Sequence, residues 1–129
     1  WYKVFASPVT QTIAEQTCEE LGGQLCTIES PQENDAVTQY LLKSSGGQER
    51  AYCWLGYSDA AQEGQFRNFD GAPLAPPTYA NWSPGQPDNQ GGTEDGVYLE
   101  AVFSAGQVTG SWFDGNAAAA YPFICEWDR

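Results

Sequence analysis

Between Asn81 and Gly96 the chain reads NWSPGQPDNQGGTEDG, a stretch in which prolines and glycines surround Gln86, Asp88, Asn89, Glu94 and Asp95. Little in it favours a helix or a strand. Oxygen donors crowded on a loop held rigid by Pro and Gly suit a hard cation, because calcium takes about six to eight oxygen ligands at roughly 2.3–2.6 Å. The stretch therefore predicts a calcium site that holds a ligand. Its offsets are not those of an EF-hand, which needs Asp, Asn and Gly at fixed positions. Two more carboxylates, Asp59 and Glu63, lie upstream in SDAAQEGQF, and Asp114 follows Trp112-Phe113 downstream.

The rest of the composition narrows the chemistry. The formal charge is −12, from 17 Asp and Glu against five Lys and Arg, so the long-range field repels phosphate backbones and anionic lipid. Nucleic acid is a poor partner. Solubility, as in halophilic or marine proteins, accounts for the overall excess but not for its clustering on one loop. The chain has no His, which removes Ser-His and Cys-His nucleophile pairs, and its four Cys lack the paired short spacing of structural zinc sites. Scattered Cys18, Cys26, Cys53 and Cys125 read as two disulfides in an oxidising compartment, with three connectivities open. That predicts an extracellular protein, secreted or at the cell surface. No run approaches the ~20 apolar residues of a membrane span, and no leader-like segment precedes Trp1, which predicts a mature form or a trimmed module. At 129 residues the length suits one domain, 1–129.

Those side chains need elements to carry them. Trp1 to Phe5 predicts a first strand. Thr10 and Thr12 are both candidate N-caps, with Thr12 and Glu15 able to form a capping box, and Ile13, Ala14, Cys18 and Leu21 recur at helical spacing until Gly22-Gly23. A second helix starts at Ser30, with Pro31 at its first position, Glu33 closing a capping box and Val37, Tyr40 and Leu41 as its buried stripe. It ends within Ser44 to Gly47. Beyond Ala51 the pattern changes to short strands: Tyr52 to Tyr57, a hairpin of Val97 to Phe103 and Gln107 to Trp112 closed by Ser104-Ala105-Gly106, and Tyr121 to Trp127. The order predicts an α+β domain. Roughly Asp59 to Asp95 is a long irregular stretch, the kind that usually carries function.

Taken in order, several pieces resemble a C-type lectin-like domain. They are Cys18 with Gly22-Gly23-Gln24-Leu25, Trp54-Leu55-Gly56, Asn81-Trp82, Gln86-Pro87-Asp88, Glu94-Asp95, Trp112-Phe113-Asp114 and Ile124-Cys125-Glu126. The resemblance covers essentially the whole chain. It implies a C-type lectin-like fold, with two helices, short antiparallel sheets and a long calcium-binding loop region, excised from a larger protein. It also implies a Cys18–Cys125 bridge, which leaves Cys26 to pair with Cys53 or both to remain buried thiols. The family's second bridge is absent, since Gly96 and Ala117 occupy its two positions.

Carried over by resemblance, a principal calcium would be held by Gln86, Asp88, Glu94 and Asp114, with Phe113 standing where the family has a coordinating Asn. An auxiliary calcium would use Asp59, Glu63, Asn89, Glu94 and Asp95. In this motif the Gln86-Pro87 bond is expected to be cis. Sugar would bind through two vicinal hydroxyls on the principal calcium, contacting Gln86, Asp88, Glu94 and Asp114. Gln-Pro-Asp implies galactose-type sugars, with fucose-type or broader specificity as the alternative. Galactose binders usually stack an aromatic ring on the sugar, and Phe113 is the candidate here. Trp54, Trp82 and Trp112 are expected in the core, and Asn81 is expected without a glycan because Pro84 follows its sequon.

Three functions compete on these residues. The first is a calcium-dependent lectin or adhesion module for glycans on cell surfaces or glycoproteins, multivalent through its parent protein. The second is a lectin-like module for protein, ice or mineral surfaces without sugar binding. An enzyme, such as a two-carboxylate hydrolase, is disfavoured because nothing in the sequence marks a raised-pKa acid in a cleft.

Overall fold

The structure is a computed structural model that describes residues 1–62, 64–74, 78–87, 95–116 and 118–127. Its elements run β1 (Tyr2–Val9), α1 (Gln11–Glu20), β2 (Gln24–Leu25), α2 (Pro31–Ser44), β3 (Arg50–Ser58), β4 (Arg67–Asn68), β5 (Gly96–Ser104), β6 (Gln107–Gly115) and β7 (Tyr121–Glu126). The strands join one sheet in the order β1-β7-β3-β5-β6, with β2 on β7 and β4 on β3. All pairs are antiparallel except β3 with β7.

The α1 helix uses the earlier of its two candidate caps. Thr10, not Thr12, is the N-cap: its backbone is extended and its hydroxyl accepts from the Ile13 N–H at 3.4 Å. The phase of the buried face shifts accordingly to Gln11, Ala14, Glu15 and Cys18, and Ile13 and Leu21 stand about half exposed. Gln11 can be buried because its amide donates to the carbonyls of Leu55 and Tyr57, at 2.9 and 2.8 Å. Gly22, with φ +82, turns the chain out of the helix.

The α2 helix starts as expected, with the Ser30 hydroxyl accepting from the Glu33 N–H at 3.0 Å. The Glu33 carboxylate accepts from Glu29 N–H rather than closing the box on Ser30 itself. Asn34, Val37, Thr38, Leu41 and Leu42 are buried, with Tyr40 only half-buried beside them. Asn34 ties the helix to β6, donating to the Gly110 carbonyl at 3.0 Å and accepting from the Trp112 indole at 2.9 Å. A Cβ at Gly110 would lie 2.0 Å from the Thr38 hydroxyl, so only glycine lets helix and strand approach this closely.

Side chains alternate along β3, and the two faces feed separate cores. Cys53, Leu55 and Tyr57 join Val37, Leu41, Leu99 and Trp112 beneath α2. Trp54 points the other way, to Ala14, Cys18, Phe123 and Cys125 beneath α1. Cys18 and Cys125 form the expected bridge, with Cα atoms 5.4 Å apart. The expected Cys26–Cys53 bridge does not form, and both residues are buried thiols. The Cys26 carbonyl accepts from Gly56 N–H at 2.7 Å, so this segment meets β3 three residues beyond Cys53. That offset is about 10 Å along a strand, more than a disulfide spans. Burial pushes the Cys53 thiol up to about 12, which keeps it protonated.

Candidate functional site

The expected ligand residues come from three strand ends and one loop. Ser58 pairs with Gly96, and Gly96 with Gly115, so the C-terminal ends of β3 and β6 flank the start of β5. Asp59, Asp95 and Asp114 are sequence neighbours of those glycines and of Ser58, and the sheet therefore brings the three residues to one end. Asp59 and Asp114 are each 2% exposed. The Asp59 N–H donates to the Asp95 carbonyl at 3.0 Å, and its carboxylate accepts from Gly64 N–H at 2.8 Å. Beneath this corner Gln11 packs against Gly96, where a Cβ would lie 2.9 Å from its amide oxygen and 2.8 Å from the Trp54 ring.

The loop bearing Gln86 is laid along β6 by backbone hydrogen bonds. Trp112 N–H donates to the Asn81 carbonyl and Ser83 N–H to the Trp112 carbonyl, both at 2.9 Å, and Gln86 N–H donates to the Ser83 carbonyl at 2.9 Å. The Asn81 amide donates to the Gly110 carbonyl at 2.5 Å, a structural use of this residue. Trp82 fills the gap beneath, its ring 6.1 Å from Trp112 and 5.3 Å from Phe66. Trp54 and Trp112 are fully buried, as expected of core residues. The Gln86-Pro87 bond is cis, and the Gln86 side-chain oxygen is shielded from solvent.

Asp88, Asn89, Glu94 and Glu63 lie outside the described residues. Among the described residues no three His, Cys, Asp or Glu side chains form a group that could hold a metal ion. What remains of the expected set is chemically coherent: carboxylate and amide oxygens, all hard donors, with no thiol or imidazole among them. The chain's five basic residues are Lys3, Lys43, Arg50, Arg67 and Arg129, so Asn68 to Asp128 contains none. Arg67 is engaged locally, donating to the Gly71 carbonyl and the Gln65 amide oxygen, both at 3.3 Å. A donor set of this kind fits calcium.

Phe113 is half-buried and stacks on Tyr98, ring centroids 5.4 Å apart, and Tyr98 stacks on Tyr121 at 4.7 Å. The row explains how an aromatic ring is held at this position. Alternation along β6 sends Phe113 and Asp114 to opposite faces. Sequence reasoning missed the buried roles of two polar residues on the inner stripe of α1: Gln11, which supports the site through Gly96, and Glu15, which faces a separate cavity. The signal was the i, i+3 spacing of Gln11 to Ala14 and of Glu15 to Cys18 once Thr10 is taken as the cap.

Known proteins match this architecture along nearly all of its length. The family model described as Lectin C-type domain matches residues 7–127. Human tetranectin is 35% identical over 128 residues, which cover 97% of this chain and 58% of tetranectin. The mouse scavenger receptor C-type lectin carbohydrate-recognition domain superposes with a TM-score of 0.78 at 30% identity, covering 99% of this chain and 87% of that one. The cow C-type carbohydrate-recognition domain of CD23, solved in the presence of a GlcNAc2Man3 oligosaccharide, gives 0.72 at 27% identity, with coverages of 96% and 84%. A calcium-independent type II antifreeze protein, 22% identical, shares the fold at 0.72 and the same 96% of this chain, covering 82% of its own. The chain belongs to the C-type lectin domain family. It spans just over half the length of tetranectin. Among the described residues no helix is long and apolar enough to cross a membrane.

Proposed function

We propose that the protein is a calcium-dependent glycan-binding module, a single domain of a larger extracellular protein and not an enzyme. The observation that carries this is the pairing of Ser58 with Gly96 and of Gly96 with Gly115, which brings the backbones of Asp59, Asp95 and Asp114 to one end of the sheet, with the loop of the cis Gln86-Pro87 bond laid along β6. Gln86, Asp88, Glu94 and Asp114 would hold the principal calcium, and Asp59, Glu63, Asn89, Glu94 and Asp95 the auxiliary one. When bound, the principal ion supplies open coordination positions for two vicinal hydroxyls. The amide of Gln86 would donate a hydrogen bond to one sugar hydroxyl oxygen, and the Asp88 carboxylate would accept a hydrogen bond from the other hydroxyl. With the amide before Pro87 and the carboxylate after it, the order favours galactose-type diols, and fucose-type ligands present comparable pairs.

A glycan array run in millimolar calcium and again with chelator tests the reading. Asp88→Ala should abolish any calcium-dependent signal and leave the fold intact by circular dichroism; surviving signal removes Asp88 from the site. Calcium should raise Tm by mass action, and its affinity should weaken as the carboxylates protonate.

One observation favours a second reading, a lectin-like module for protein, ice or mineral surfaces. Phe113 occupies the position of a coordinating Asn and is committed to stacking on Tyr98. An array silent in calcium, together with a calcium-induced rise in Tm, selects that reading.

A further inference from the structure

A cavity of about 130 Å³ opens between α1, β2, β3 and the turn after β4. Its lining includes Glu15 and Glu19 from α1, Asp70 from the turn, and the apolar surfaces of Leu25 and Phe69. None of its lining residues belongs to the loop of Gln86 or to β5 and β6. Glu15 is only 9% exposed, and its Oε2 is buried with no hydrogen-bond partner. Protonated, Glu15 can hydrogen-bond Glu19; ionised, it leaves that oxygen without a donor from the chain, and burying an unsatisfied charged group is costly. Glu19, one helical turn on, and Asp70 add negative charge, and no basic residue lines the cavity. The chemistry required of an occupant is therefore a cation with hydrogen-bond donors.

Two kinds of cation meet that description. A divalent metal needs several ligands closing around one point, and these residues form no such group among the described residues. An ammonium group has three donors on one nitrogen and tolerates acceptors spread over one hemisphere. The remaining walls suit the carbon chain that such a group carries. Phe69, 46% exposed, stands at the cavity as a ring for methylene packing and cation–π attraction, and Leu25 lines it as a buried apolar surface.

We propose that this cavity is a recognition site for a primary alkylammonium group, with Glu15, Glu19 and Asp70 as acceptors and Leu25 and Phe69 enclosing the carbon chain. The group is the same in a free amine and at the end of a lysine side chain.

Binding should depend on pH. Burial, a hydrogen bond with Glu19 and the charges of Glu19 and Asp70 push the Glu15 carboxyl up to about 7, against a smaller lowering by the Leu25 N–H. Glu126 on β7 is turned away to the Thr27 N–H and hydroxyl. An alkylammonium meets an ionised Glu15 above that value and a neutral one below it, so affinity rises between about pH 6 and 8.

Titration of the ¹⁵N-labelled protein with n-butylammonium, and separately with Nα-acetyl-lysine methylamide, tests the site by amide shifts. Both probes should give saturable shifts at Gly23, Gln24 and Asp70, stronger at pH 8 than at pH 6. Glu15→Gln keeps the shape, removes the charge and should weaken binding roughly tenfold or more, the loss of one charged hydrogen bond. Phe69→Ala, at an exposed position, should weaken it severalfold with the fold retained. Saturation by the free amine alone assigns the site to small amines, and saturation by both extends it to lysine side chains. The proposal is overturned if neither probe saturates, if Glu15→Gln binds as well as the parent, or if calcium produces the same shifts in competition with the amine.

Discussion

Glu15 sits where an amphipathic helix ordinarily buries an apolar side chain, and its ionisation is correspondingly expensive. Its carboxyl is held at about 7 in the native state against about 4.5 when unfolded, so the native protein binds the proton more tightly. By linkage, this group's contribution to stability is present in acid and is lost as pH rises through the window between those values. Glu15→Gln, a neutral isostere, should therefore raise Tm at pH 8 and change it much less at pH 4.5. Thermal unfolding of both proteins across that range checks the sign; a variant less stable at pH 8 would show that the charge is compensated. In the candidate site, the Asp59 carboxylate accepts from Gly64 N–H and its own N–H donates to the Asp95 carbonyl. At this scale the sequence reading of Phe113 also acquires a physical content: the ring belongs to a stacked row with Tyr98 and Tyr121.

At the scale of elements, the β5-β6 hairpin is the frame on which the site depends. Nine residue pairs run from Gly96↔Gly115 to Ser104↔Gln107, leaving Ala105 and Gly106 as a two-residue turn with φ of 53° and 77°. Positive φ at both positions is the conformation whose twist matches that of the strands, and it favours Asn-Gly. Ala105 is therefore the strained residue. Ala105→Asn should stabilise the protein by about 0.5–1 kcal/mol, read as a higher denaturant midpoint with unchanged slope. Ser104 was legible as part of the turn, but the register shows that it still pairs. The helices show the same division. Ser30, Pro31 and Glu33 announced the start of α2 plainly, because capping chemistry is local. Two threonines offered a cap for α1, and the choice was made by β1, which extends to Val9 and leaves Thr10 as the first residue free to turn.

Across the whole molecule, one covalent tie spans 107 residues, joining α1 to the strand at the centre of the β1-β7-β3 edge. A loop of that length constrains the unfolded chain strongly, so replacing Cys18 and Cys125 together by Ala should lower stability by about 3–5 kcal/mol. Chemical denaturation measures it, and a loss below about 1 kcal/mol would mean that the two cores hold α1 without the bridge. The sequence by itself determined the family, the α+β class, the hairpin and the oxygen-rich loop, because each is written in local spacing or in a short ordered motif, while the Cys18–Cys125 pair followed only from the family resemblance. Only the tertiary structure decided which face of α1 is buried, that Cys26 meets β3 at Gly56 instead of Cys53, and that Glu15 lines a cavity with Asp70. Those outcomes depend on where distant segments cross, and crossing points are set by packing two cores against one sheet, which no local pattern encodes.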